Sequence, residues 1–169
     1  EEGKRIYRLF NRYSKRVYVK IPVNPMLSKE DTTAFDGLKA IAALSKRKIP
    51  VNATLIFTPE QALLAARAGA KILSPFSGRE DDYIRAKSKM KFKKTDYFQP
   101  TNKTADDNGI IAGRDLVEQC ASIVRQHEID TEVLAASIRN PRQLRDAALR
   151  GAHIATTTID VLRQSLMHP

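Results

Sequence analysis

The sequence predicts an α/β fold made of parallel βαβ units, on three observations. Short runs rich in β-branched and aliphatic residues alternate with stretches of helical periodicity along the whole chain. Those runs carry polar residues at fixed places, where a strand covered by helices on both sides would be apolar throughout. The size and composition suit one globular domain: 169 residues, 42% hydrophobic and 28% charged.

Residues 4–13 read as a helix that feeds the first strand, 17–21 (VYVKI), which Pro22 stops. Residues 32–46 follow as a helix, with Thr32 or Thr33 as N-cap and Leu38, Ile41, Ala42 and Leu44 along an apolar side. Residues 51–57 (VNATLIF) form the second strand. Thr58-Pro59-Glu60-Gln61 then opens a helix with a cap residue, a proline in first position and a glutamine three after the threonine, and Gly69 stops it. Residues 71–76 (KILSPF) are the third strand. Residues 80–108 read as a long basic loop insertion that ends in the turn chemistry of Asp106-Asp107-Asn108-Gly109. An amphipathic helix spans 113–127, and residues 131–138 (TEVLAASI) are the fourth strand. A helix over 141–150 begins at Asn140-Pro141 and stops at Gly151. Residues 153–158 are the fifth strand and 159–166 the last helix.

Two architectures fit such units, an open doubly wound sheet and a (β/α)8 barrel. A barrel needs eight units and typically about 250 residues; five are counted. The polar positions favour the barrel. Asn52 and Thr54 face the same way because a strand has a period of two, while Val51, Ala53 and Leu55 face the helices. Lys20, Ser74, Ser137 and Arg139 break the other runs in the same manner. Polar groups sent by neighbouring strands into one interior are what a barrel site requires.

Lys20 lies among Val17, Val19 and Ile21. A lysine is rarely buried unpaired, and desolvation favours the neutral amine, which attacks carbonyls to form Schiff bases. The plainer alternative is an edge lysine that snorkels to water. Arg79 and Arg139 come just after the third and fourth strands, where a guanidinium fork suits a phosphate. For Arg79 the alternative is a local ion pair with Glu80, Asp81 or Asp82. His127, His153 and His168 show no metal-ligand spacing and read as structural or surface residues; no metal site is expected. Cys120 excludes an internal disulfide framework and a multi-cysteine zinc site, and reads as core. No apolar run approaches the roughly 20 residues of a membrane span, and charges interrupt every apolar stretch near residue 1. The expectation is a soluble cytoplasmic protein without a membrane partner.

A net charge of +10 invites a nucleic-acid reading. The charge is local, however: +5 over residues 1–20 and +6 over 85–94, which leaves the rest of the chain at −1. In the second run, basic residues alternate with Ala86, Ser88, Met90 and Phe92, and Tyr97 and Phe98 lie close by. Interleaved cations and aromatics can hold single-stranded nucleic acid. A solvated loop is the commoner meaning, and steering of anionic substrates is a third.

The segments Val19-Lys20-Ile21-Pro22, Val51-Asn52-Ala53-Thr54-Leu55-Ile56-Phe57, Gln61-Ala62, Ala65-Ala66, Ala68-Gly69-Ala70, Ser74-Pro75-Phe76-Ser77-Gly78-Arg79 and Leu134-Ala135-Ala136-Ser137-Ile138-Arg139-Asn140 together resemble transaldolase. The resemblance runs from about residue 16 to the end, in order, over four strands. It implies a class I, Schiff-base (β/α)8 barrel of the pentose phosphate pathway, with sugar phosphates as substrates and a homo-oligomeric state. Lys20 would form the Schiff base and Thr54 would position the catalytic water. Asn52 and Ser74 would hold the hydroxyls of a three-carbon dihydroxyacetone unit. Arg79, Ser137 and Arg139 would bind phosphate. No cofactor is implied. Phe76, in the substrate-binding set, separates transaldolases from the related fructose 6-phosphate aldolases, which usually carry tyrosine there.

The family also has three strands before the lysine strand, which supply an Asp, an Asn and the Glu that works with water as general acid and base. Their counterparts are not found in this sequence, so the expectation is a single partial barrel domain over 1–169. Loss of the proton-transfer group alone costs roughly 10²–10⁴ in rate. A barrel piece that binds sugar phosphate or a partner without chemistry is the remaining alternative.

Overall fold

The computed structural model describes residues 1–24, 26, 28–33 and 35–167; His168 lies outside them. The element order is α1 (Glu2–Asn11), β1 (Val19–Pro22), α2 (Asp36–Ser45), β2 (Val51–Ile56), α3 (Pro59–Arg67), β3 (Ile72–Pro75), α4 (Ser77–Lys87), α5 (Gly113–Gln126), β4 (Glu132–Ala135), α6 (Pro141–Leu149), β5 (Ile154–Ala155) and α7 (Ile159–Ser165). The strands form one five-stranded sheet in the order β1-β2-β3-β4-β5, and each adjacent pair is parallel. Strands paired in chain order, with a helical crossover between each pair, are the arrangement of consecutive units of a (β/α)8 barrel. No helix among the described residues is long and apolar enough to cross a membrane.

The helix-facing side of the sheet makes the core. Val51, Ala53, Ile56, Leu73, Val133 and Ala135 are all fully buried there, against Ile41 of α2, Ala65 of α3 and Leu116, Val117 and Cys120 of α5. Burial pushes the Cys120 thiol up to about 12, which makes it an inert core residue, as expected. His153 is structural: its Nδ1 accepts a hydrogen bond from Val133 N at 3.0 Å. His127 is exposed at the end of α5.

Local signals place the helix starts. Thr58 Oγ1 accepts from Gln61 N at 3.2 Å, while Gln61 Oε1 accepts from Thr58 N at 3.3 Å, so the expected capping box forms with Pro59 in the first turn. Asn140 caps α6 by accepting from Gln143 N at 2.9 Å, followed by Pro141.

Four expectations are corrected. The α2 helix begins at Asp36 without a side-chain cap. Thr33 is occupied elsewhere, its hydroxyl donating to Asp31 Oδ1 at 2.7 Å. In β2 the register against β3 slips between Ala53 and Ile56, with Leu55 in the left-handed region at φ +58. That bulge turns Leu55 off the helix-facing side, and Ile56 takes its place in the core. The fourth strand ends at Ala135 because Ser137, at φ +67, cannot continue it. Ser137 and Arg139 therefore stand on the connection to α6, not on a strand. Finally, 80–87 is not loop but the greater part of α4; only 88–112 is irregular.

Candidate active site

The inner side of the sheet begins with a register fact. Lys20 and Asn52 are direct partners across β1 and β2, so their side chains leave the same face side by side. From β3, Ser74 Oγ donates to Asn52 Oδ1 at 2.6 Å. Phe76, just past β3, lies with its ring centroid 6.0 Å from Lys20 Nζ. Lysine, amide, hydroxyl and ring from three neighbouring strands thus face one spot, as the strand period predicts. Burial rises across the group: Ser74 is fully buried, Asn52 half-buried and Lys20 exposed. The expected burial of Lys20 is therefore not found, because β1 is an edge strand of this sheet and its inner face is open.

Thr54 lies two residues beyond Asn52, beside the bulge. It is buried, and its Oγ1 has no hydrogen-bond partner among the described residues. Its carbonyl is engaged, accepting from Val23 N at 2.9 Å. A buried hydroxyl without a partner costs about 1–3 kcal/mol, so its retention calls for an explanation.

Arg79 sits in the first turn of α4, its guanidinium carbon 5.4 Å from the Phe76 centroid. Phe57 stacks on the Phe76 ring as well, at 5.8 Å and 20°. The local ion pair considered for Arg79 does not form, because each neighbouring acid is engaged elsewhere. Glu80 hydrogen-bonds Asp107, Asp81 accepts from Gly113 N and Gln143 Nε2 at 2.7 Å each, and Asp82 takes Arg139. Arg79 is left exposed with no carboxylate partner among the described residues.

Arg139 is half-buried, and its Nη1 donates to both oxygens of Asp82 at 2.7 Å. Its Nε and Nη2 have no partner among the described residues, so one guanidinium edge is anchored while the other is unfilled. Ser137 is pressed against α4: a Cβ at Gly78 would run into the Ser137 carbonyl oxygen. That close approach requires glycine and brings the two post-strand turns, with their arginines, side by side.

The start of the basic run is helical, since residues 85–87 close α4. Arg85 is only 2% exposed. Its guanidinium carbon stands 4.1 Å from the Phe92 centroid and 5.5 Å from that of Phe98, and Nη2 donates to Asp82 Oδ1 at 3.2 Å. Tyr97 donates its hydroxyl to Asp146 Oδ2 at 2.5 Å. The aromatics that nucleic-acid bases would need are thus consumed by the fold. Two contributors to the site escaped the sequence reading, Phe57 and Asp82. The only signal for either was proximity, Phe57 ending a strand and Asp82 following an arginine by three.

The family model described as Transaldolase/Fructose-6-phosphate aldolase matches residues 1–169. The chain belongs to this family. It is 38% identical over 169 residues to a probable transaldolase of Geobacillus thermodenitrificans (strain NG80-2), covering 100% of this chain and 61% of that protein. A probable transaldolase of Roseiflexus sp. (strain RS-1) is 42% identical over 162 residues, covering 96% of this chain and 58% of its own. One of Alkaliphilus metalliredigens (strain QYMF) is 40% identical over 149 residues, covering 88% and 58%. The chain spans about three fifths of the length of these relatives.

Proposed function

We propose that this chain carries the Schiff-base and phosphate-binding elements of a transaldolase, which moves a three-carbon dihydroxyacetone unit from a ketose phosphate to an aldose phosphate. The observation that carries the reading is the juxtaposition of Lys20, Asn52 and Ser74 on adjacent strands, with Ser74 bonded to Asn52 at 2.6 Å. A lone edge lysine has no need of such partners.

The unprotonated Lys20 amine attacks the C2 ketone of a substrate such as fructose 6-phosphate. The carbinolamine loses water to give a protonated imine. Breaking the C3–C4 bond sends its electron pair into the imine, releases the aldose phosphate and leaves an enamine of dihydroxyacetone on Lys20. The enamine then adds to the carbonyl carbon of an acceptor aldose phosphate, and hydrolysis frees the new ketose and the lysine. Asn52 and Ser74 hold the hydroxyls of the three-carbon unit. Thr54 gives its unfilled hydroxyl to the water that is lost and later returned. Arg79, Ser137 and Arg139 hold the phosphate, which fixes the sugar chain along the line from Lys20 to the turns. The carboxyl groups that move protons belong, by family resemblance, to strands preceding β1. The enzyme is a soluble cytoplasmic one in this reading. Phe76 in place of tyrosine favours the transferase over a fructose 6-phosphate aldolase.

Borohydride reduction in the presence of fructose 6-phosphate tests this. Mass spectrometry should find the reduced adduct on Lys20 and none in Lys20→Met. A folded protein that gives no adduct on Lys20 overturns the reading.

A further inference from the structure

The end of the basic run lies against the connection that carries Arg139. The chain leaves α4 at Ser88 and returns, and at 93–96 it makes a tight turn closed by Lys93 N donating to Asp96 Oδ2 at 2.7 Å and by Asp96 N donating to Lys93 O at 3.0 Å. Two anchors hold this turn against the site. Buried Arg85 donates Nη1 to Asp96 O at 3.2 Å, and its Nη2 reaches the same Asp82 that holds Arg139. Asn140, the residue after Arg139, donates Nδ2 to Thr95 O at 3.2 Å. The turn is thus tied to Arg85 and to the residue that follows Arg139, and is no free tether. Lys93 and Lys94 are exposed on it, and neither ammonium has an acidic partner among the described residues.

We infer that Lys93 and Lys94 form a cationic rim to the phosphate site, which draws phosphorylated sugars to Arg139 through space without bonding them. This rests on the reading of Arg139 as a phosphate residue. Exposed unpaired cations beside a site act at long range, and within a Debye length of a dianion two of them raise its local concentration several-fold at low salt. The alternation of the run has no strand to serve, and its aromatics are used up in caging Arg85. What the fold preserves from the run is the placement of its last two charges.

Inorganic phosphate is the probe, titrated calorimetrically at ~20 mM and ~0.5 M salt, where the screening length differs several-fold. Lys93→Gln/Lys94→Gln should bind phosphate about fivefold more weakly than the parent at low salt and equally at high salt. Lys93→Arg/Lys94→Arg should keep the parent affinity, and Arg139→Gln should lose affinity at both salts. Parent-like binding by the Gln pair at low salt overturns the inference. So does a deficit that persists at ~0.5 M salt, which would mark a direct bond or a folding defect. Salt-dependent capture of a single-stranded oligonucleotide in preference to phosphate, abolished in the Gln pair, reassigns the lysines and overturns it as well. Phosphate binding involves no imine. Failure of borohydride to trap dihydroxyacetone on Lys20 therefore strikes the Schiff-base reading alone and leaves the rim standing.

Discussion

The two ends of this site, proposed above to take the sugar and the phosphate, are built by different means. Lys20, Asn52 and Ser74 stand on strands, placed by ladder register, and their mutual geometry follows once β1, β2 and β3 pair. Arg79, Ser137 and Arg139 stand on turns after the strands, placed by contacts from far along the chain: Asp82, Gly78 and the 93–96 turn. At the first end Lys20 is exposed on the edge strand, while Asn52 and Ser74 lie progressively deeper. The second is knitted into α4, α5 and α6. Changes at Lys20 should alter chemistry with little effect on stability, and changes at the second end should do both.

The sharpest test of the contrast is Lys20→Met. If Lys20 is the attacking amine, borohydride trapping should fall at least ~10³-fold. Because the side chain is exposed on an edge strand, the urea unfolding midpoint should stay unchanged. A large loss of stability would break the distinction between the two ends.

Gly78→Ala probes the other end. Its methyl would meet the Ser137 carbonyl, which is backbone and cannot swing aside. Forcing apart α4 and the 136–139 turn should cost about 3 kcal/mol in urea unfolding. Phosphate binding should be lost along with that stability, while trapping of unphosphorylated dihydroxyacetone at 25 °C persists in whatever protein remains folded.

Next in size is a pH effect confined to the phosphate end. Glu80, beside Arg79, is buried with Oε1 unpartnered and shares a hydrogen bond with the Asp107 carboxyl, which requires one proton between them. Burial, then the nearby charges of Asp107 and Asp81, raise its pKa from the ordinary 4.5 to about 7, against the opposing pull of Lys87. The folded state therefore holds a proton that the unfolded chain gives up near 4.5. Stability from this pair is complete below that value, falls as pH rises towards 7 and levels off above it, a change on the order of 2 kcal/mol. Glu80→Gln, which keeps the neutral form, should flatten that slope. A slope unchanged in the variant would remove Glu80 as its source.

The same contrast explains what was legible in the sequence. Period two, read on VYVKI and VNATLIF, is enough to align Lys20, Asn52 and Thr54, and the capping signals at Thr58 and Asn140 are local as well. The turn residues were nameable through family resemblance, yet their supports were not. Asp82 pairs with a residue 57 positions away, and Arg85 reads as one more cation in a basic run although the fold buries it between two phenylalanines. Likewise the β2 bulge has no composition cue, since Leu55 is an ordinary strand residue in a left-handed conformation that only the tertiary register imposes. The basic run reads as loop from residue 80, yet α4 carries the chain three turns, as far as Lys87.

Thr54→Val is the smallest and most discriminating change. The side chain is buried and its hydroxyl has no partner among the described residues, so the isosteric methyl removes an unpaid desolvation cost. Stability should rise by about 1 kcal/mol in urea unfolding. If Thr54 holds the water of imine formation and hydrolysis, the same substitution should slow borohydride trapping at Lys20 by about 10-fold while leaving phosphate affinity untouched. Gained stability with slowed trapping is the signature of a group kept for chemistry at a structural cost. Lost stability would mean that the hydroxyl serves the β2 bulge instead. The sugar end would then be knitted into the fold as the phosphate end is, and the division between them would fall.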